Sequence, residues 1–214
     1  MAWIIATRNR GKLAELVPML AARDIEGVGL DDAGVTYNAA EDAIESFDTF
    51  EANALAKARY FSVLTGSTCL ADDSGLCIDA LGGDPGVRSR YFALDSGFRA
   101  RTGASADSAN NEAMLDACWN SGWAPSWAAH YTCVAALVDS NRALTGDGRC
   151  DGVIVPEADG SGGFGYDPYF VSTELGITFA MASREVKAQV SHRARAVAAL
   201  LARVSATHSG TSAR

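Results

Sequence analysis

The sequence predicts an α/β chain built on a mixed sheet. Three observations carry that reading. A short apolar run at residues 2–6 gives way to a polar turn and then to a segment with an apolar helical stripe. A second helical segment spans residues 49–64 and ends at Gly66. Two longer strand-like segments, 127–138 and 142–155, are joined by a turn near Asp139-Ser140-Asn141.

The remaining elements follow in order. Residues 2–6 read as a buried first strand that stops at Thr7-Arg8-Asn9-Arg10-Gly11-Lys12. The helix after it covers about 11–22, with Leu13, Leu16, Val17 and Leu20 at i, i+3, i+4, i+7 spacing. In the second helix Phe50, Ala54, Ala58 and Phe61 lie near one face. Residues 68–71 form a short strand expected to end at the paired aspartates Asp72 and Asp73. Gly82-Gly83-Asp84-Pro85-Gly86 is a turn cluster, and 107–119 a further helix. Ser191 is a suitable N-cap for the last helix, whose stripe is Val197, Leu200, Leu201 and Val204. One domain over residues 1–204, allowing for two tightly joined lobes, and a frayed polar tail over 205–214 account for the chain.

Composition narrows the function classes. A hydrophobic content of 48% supports a substantial core, and a net charge of −8 argues against a protein that coats nucleic acid. An anionic ligand would need a local cluster of Lys and Arg. Five cysteines at 69, 77, 118, 133 and 150 contain no C-x-x-C pair and no zinc-ligand spacing, so they read as reduced and mostly buried. The N-terminus lacks a basic region, and no run of 18 apolar residues exists. The expectation is a soluble cytoplasmic protein.

Four segments carry chemistry. Gly162-Gly163-Phe164-Gly165-Tyr166-Asp167-Pro168 can present a ring face, backbone N–H groups and a carboxylate to something flat and polar; a plain glycine-rich hairpin loop is the competing reading. Thr7 to Lys12 leaves a strand and opens a helix, where unpaired N–H groups attract phosphate, although it is not a Walker A loop. Asn53 and Lys57 share a helix face, from which a Lys can reach a phosphate. Asp72-Asp73-Ser74-Gly75 reads either as a type I turn or as a cation site, because adjacent carboxylates repel unless a cation such as magnesium keeps both ionised.

Together with Ala80-Leu81-Gly82-Gly83-x-Pro85-Gly86-Val87 and Ser191-His192-Arg193, these segments occur in an order that resembles the inosine/xanthosine triphosphate pyrophosphatase family. The resemblance covers Ile4 to about Ala202. It implies an elongated, two-lobed α/β fold with a mixed sheet and a cleft between the lobes, usually as a homodimer. It implies magnesium-dependent hydrolysis of ITP, dITP or XTP to the monophosphate and pyrophosphate. By the same resemblance Thr7, Asn9 and Lys12 hold the triphosphate beside Lys57, and Ser74 lies close to the phosphates. Asp73 serves as base or metal carboxylate, and Glu45 completes the metal site, with Glu41 as the alternate. Phe164, Gly165, Tyr166, Asp167, Lys187, His192 and Arg193 surround the base. Arg193 offers only donors, which suits the oxygen at position six of hypoxanthine or xanthine and not the amino group of adenine.

The chain departs from the family pattern in three places. Arg8 stands where the family usually has Gly, Ala52 where it usually has Glu, and a Ser-Ala-Arg-Tyr run is shortened to Ser89-Arg90-Tyr91. The phosphate end is thus altered more than the base end. Two alternatives follow: the same chemistry recruited to a different nucleotide, or a nucleotide-binding module without turnover. Intact Lys12, Lys57 and Asp73 argue against the second.

Overall fold

Apolar side chains of the first strand divide between two cores, and that division organises the N-terminal part of the chain. In the computed structural model, which describes residues 2–209, strand β1 (Trp3–Ile5) contributes Ile5 to one cluster, while Ile4 and the following Ala6 enter another. Strand β3 (Cys69–Ile78) alternates the same way, with Leu70 in the Ile5 cluster and Cys69 and Ala71 in the other. So does β4 (Trp127–Val138), with Cys133, Ala135 and Leu137 against Ala136 and Val138. This is the period-two pattern of a strand covered on both faces.

Helices supply the covers. Helix α1 (Arg10–Ala21) brings Leu16 and Leu20 to the Ile5 face, and helix α6 (His192–Ser209) brings Ala196, Val197, Leu200, Leu201 and Val204 to it. Helix α2 (Phe50–Thr65) brings Ala54, Ala58 and Phe61 to the opposite face, and ends on Gly66 in the left-handed conformation. The complete sheet has six strands in the order β2-β1-β3-β4-β5-β6, where β2 is Gly27–Gly29, β5 Ala143–Ile154 and β6 Phe170–Ser172. Strand β1 runs parallel to both β2 and β3, and β5 antiparallel to β6, so the sheet is mixed as expected.

The chain divides into two compact units. The first holds Met1–Asp73, Cys133–Gly148 and His192–Arg214; the second holds Ser74–Thr132 and Arg149–Ser191. The second unit has its own core, built from Leu76, Ile78, Met114, Trp127, Tyr131, Phe170 and Phe179 among others. It carries the short helix α3 (Phe92–Asp95), helix α4 (Ala106–Ser121) and helix α5 (Arg184–Val190). All five cysteines are free, and four are buried.

Several boundaries differ from the sequence reading. Strand β3 does not stop at the aspartates but continues through Ser74-Gly75 to Ile78. Gly75 allows this, because a Cβ there would lie 2.0 Å from the Gly86 carbonyl oxygen, and the hydroxyl of Ser89 accepts a hydrogen bond from the Leu76 N–H at 2.9 Å. Tertiary packing thus overrides local turn chemistry. Strands β2 and β6 and helix α5 were not expected from sequence. Helix α6 runs on to Ser209, into the segment read as a tail, and 210–214 lie outside the described residues.

Strand β5 lies so close to α6 that it has no room for side chains at two positions. A Cβ on Gly146 would sit 2.2 Å from the Leu200 nitrogen, and one on Gly148 2.2 Å from the His192 oxygen, all backbone atoms. Gly146→Ala and Gly148→Ala should each destabilise the protein by about 1–3 kcal/mol or more, because helix and strand must separate. Urea denaturation measures this, and a midpoint equal to that of the unaltered protein would contradict the packing described.

Candidate functional site

The loop from β1 into α1 is fixed by its own side chains. The Asn9 N–H donates to the Thr7 hydroxyl at 3.1 Å, and Asn9 caps α1 by accepting from the Lys12 N–H at 3.0 Å. No acidic residue lies in the first turn of α1. Its positive end is therefore not offset by a carboxylate of its own first turn.

Asp72 and Asp73 face opposite sides of β3. Asp72 has the parity of Leu70 and meets residues of α1 and α6; Asp73 has the parity of Ala71 and meets α2. Asp72 is 0% exposed, and its Oδ2 lies 3.2 Å from the Lys12 ammonium and accepts from Arg193 Nε at 3.0 Å. The Cys133 thiol donates to the same oxygen at 3.8 Å. Burial opposes ionisation of Asp72, yet the charges of Lys12, Arg193 and Lys57 outweigh it and hold the carboxyl well below the usual range. Arg193, expected beside a base, is 1% exposed and also bonded to Glu15. Its guanidinium thus joins α6 to β3 and α1.

On the α2 side, Asn53 Nδ2 donates to Asp73 Oδ2 at 3.0 Å, and Asn53 also spans the Phe47 backbone, accepting from its N–H at 2.9 Å and donating to its carbonyl at 3.1 Å. Burial raises the Asp73 carboxyl above its ordinary pKa; Lys12 and Lys57 pull it down, and Glu45 pushes it further up. Lys57 is paired with Glu45. Burial resists the charge on Lys57, but Glu45, Asp72 and Asp73 raise its pKa. Burial likewise resists ionisation of Glu45, and Lys57 and Lys12 keep its pKa low. The result is a carboxylate, Asp73, that accepts from Asn53 and feels the charges of two lysines and a second carboxylate. Glu41, the alternate to Glu45, is taken up by Arg8 instead.

In the second unit the glycine-rich loop is tied from within and from α4. Asp167 Oδ2 accepts from the Phe164 N–H at 2.9 Å and from the Lys187 ammonium at 2.6 Å. That ammonium lies 5.2 Å from the Phe164 ring centre and 5.1 Å from that of Phe179. The Gly165 N–H donates to Asp107 at 3.0 Å and its carbonyl accepts from Asn111 at 3.1 Å, with Gly165 at φ +61°. The Tyr166 hydroxyl is spent on the Ser89 carbonyl at 2.8 Å, and burial pushes its pKa up.

The expected residues therefore fall into two sets. Thr7, Asn9, Lys12, Glu45, Lys57, Asp73, His192 and Arg193 belong to the first unit; Ser74, Phe164, Gly165, Tyr166, Asp167 and Lys187 belong to the second. Sequence reasoning missed Glu15, Asp107 and Asn111, and it read Asp72 only as half of a cation site or turn, not as the partner of Lys12 and Arg193. Continuing the strand alternation through Asp72 would have separated it from Asp73 and turned it toward the face that carries Leu70.

Comparison with known proteins adds to this geometry. A family model described as the Ham1 family matches residues 3–203. The dITP/XTP pyrophosphatase of Bordetella parapertussis is 41% identical over 207 residues, covering 95% of this chain and 91% of the relative. That of Paracidovorax citrulli is 41% identical over 204 residues, covering 94% and 96%. Among solved structures, a HAM1 protein from Coxiella burnetii aligns with a TM-score of 0.77 at 32% identity, covering 96% of this chain and 99% of that one. A nucleoside-triphosphatase / dITP/XTP pyrophosphatase from Mycobacterium abscessus aligns at 0.66 and 39% identity, covering 94% and 99%.

The charge cluster at Asp72 predicts an acid-dependent stability. Because the folded pKa of Asp72 is depressed, its contribution is complete above the unfolded carboxyl value of about 4 and is lost as pH falls from there toward the folded value. Asp72→Asn removes one of the two carboxylates paired with buried Arg193, and the one beside Lys12, and should cost about 3–5 kcal/mol at pH 7. Below about pH 4 its stability should fall less steeply with acid than that of the unaltered protein. Urea midpoints across a pH series test this; parallel curves would count against it.

Proposed function

This chain belongs to the Ham1 family, and we propose that it hydrolyses non-standard purine nucleoside triphosphates (ITP, dITP and XTP) to the monophosphate and pyrophosphate. The observation that carries the reading is Asp73, a buried carboxylate of raised pKa that accepts from Asn53 and lies within the electrostatic influence of Lys12, Lys57 and Glu45. The relatives named as dITP/XTP pyrophosphatases support the substrate class.

Such a reaction asks little covalent chemistry of the protein: the triphosphate must be neutralised and a water placed in line with the α-phosphorus. Lys12 and Lys57, with the capped N-terminus of α1 and the hydroxyls of Thr7 and Ser74, answer the first need. The Asp73 carboxylate takes the proton of the attacking water, for which a pKa raised by burial suits it better than an ordinary carboxylate. Phe164 supplies a ring face for the base, and Asp167 and Lys187 fix that ring and supply polar contacts; Gly165, Tyr166 and His192 complete the surroundings. Arg193 contributes by holding Asp72 and, through it, Lys12.

Magnesium fits the donor set. Glu45 is held ionised by its neighbours and influences the titration of Asp73. Magnesium binds through one or two carboxylates together with substrate phosphates and retained waters. Glu45 and Asp73 would hold it, and when bound it would polarise phosphate oxygens and offset their charge.

We further assign a homodimer in the cytoplasm. The family resemblance motivates the dimer, and free cysteines suit a reducing compartment. Among the described residues, no helix is long and apolar enough to cross a membrane.

With ITP and magnesium, products should be IMP and pyrophosphate in equal amounts; orthophosphate with IDP would refute attack at the α-phosphorus. Asp73→Asn should lose roughly 10²–10⁴-fold in turnover while keeping its circular dichroism spectrum. Near-normal turnover in folded protein would remove Asp73 from the reaction. Sedimentation at micromolar concentration should give twice the chain mass, and a fully active monomer would contradict the dimer.

A further inference from the structure

Arg8 is the residue at which the phosphate loop departs from the family pattern, and its side chain is fully engaged. It lies between Thr7 and Asn9, whose backbone is held by the Thr7 hydroxyl and by the Asn9 cap on α1. From there its guanidinium reaches 33 residues along the chain to Glu41, with Nε to Oε2 at 3.0 Å and a second N–H to Oε1 at 2.9 Å. It also donates to the Val35 carbonyl at 3.0 Å and pairs with Asp31. The Glu41 side chain is itself 8% exposed. A two-pronged, part-buried Arg–carboxylate pair has the geometry that sets such contacts apart from ordinary surface ion pairs.

Glu41 has a second task. Its Oε1 accepts from the Asn38 N–H at 3.1 Å, and the Asn38 side chain accepts from the Ala40 N–H at 2.9 Å, closing a capping box on the short 3-10 helix Ala39–Ala43. The Ile44 N–H donates to the Glu41 carbonyl at 3.2 Å. Glu45 comes next in the chain and pairs with Lys57. An unbroken series of contacts therefore runs from the phosphate loop through Arg8 and Glu41 to the carboxylate that faces Lys57 and Asp73.

We propose that Arg8 is a positioning residue: by gripping Glu41 it fixes the segment 38–45 to the β1–α1 loop and sets Glu45 in place against Lys57. The proposal rests on the pyrophosphatase reading of this site. It assigns to Arg8 an indirect role, although the residue stands in a phosphate-binding loop and carries the charge a phosphate contact would use. A glycine at this position could make none of these contacts.

The test compares the unaltered protein with Arg8→Ala, Glu41→Ala and the double variant. Hydrogen exchange without nucleotide is followed by mass spectrometry over residues 38–47, and kcat and KM for ITP are measured per folded enzyme. A positioning role predicts faster exchange over 38–47 in each single variant, without a matching change over the core strands. It predicts a kcat lower by roughly 10- to 100-fold with KM little changed, the size usual for residues that orient a functional group. The double variant should lose less than the sum of the two single losses, because both break the shared Arg8–Glu41 link. Two results would overturn the proposal. One is unaltered exchange and kcat in both single variants. The other is a raised KM in Arg8→Ala with normal kinetics in Glu41→Ala, which would make Arg8 a direct phosphate ligand. If the unaltered protein does not turn over ITP, the function assigned above fails, and the exchange data still decide whether Arg8 holds the segment.

Discussion

A carboxylate with no exposure at the middle of a sheet is expensive unless cations come to it, and Asp72 is such a carboxylate. Lys12 arrives from the first turn of α1 and Arg193 from the first turn of α6, with Glu15 balancing the guanidinium from behind. Two helices distant in sequence are thereby held at one point of β3. Lys12, just after the β1–α1 loop, owes its place to this cluster. So does the start of α6, where Ser191 turns the chain from α5 with an extended backbone (φ −67°, ψ 150°).

The neighbouring carboxylate faces an environment of opposite purpose. Asp73 lies on the other face of the same strand, where it accepts from the neutral Asn53 amide and burial raises its pKa. One residue of strand register thus separates a carboxylate locked in the ionised state from one able to exchange a proton. At the glycine-rich loop a carboxylate is likewise fixed by its neighbours, with Asp167 engaged by Lys187 and the Phe164 N–H.

Helix positions and the cores were legible in the sequence because most of the amphipathic spacing survives into the structure: Leu16, Leu20, Ala54, Ala58, Phe61, Val197, Leu200, Leu201 and Val204 are buried, while Val17, read into the first stripe, is 36% exposed. The set of site residues was legible from ordered motifs, but their partners were not. Asp-Asp-Ser-Gly has turn composition, and only the long-range supports of Ser89 and the absence of a Cβ at Gly75 keep it in a strand. Arg193 read as a base contact because its donors suit an oxygen; the acceptors it meets, on Asp72 and Glu15, lie 121 and 178 residues away in sequence. Strand β2, at three residues, is too short to leave a periodic signal.

Cys133 shares in the Asp72 cluster, and this gives the protein a built-in chemical reporter. Burial first, and the adjacent Asp72 charge second, push its thiol pKa far above the ordinary value, so the nucleophilic thiolate is suppressed while the fold is closed. Cys77, part exposed, has no such complete protection. An alkylating reagent would therefore mark Cys77 in the folded molecule and Cys133 only in molecules whose central sheet has opened. The ratio of the two labels would serve as a clock for how often that opening occurs.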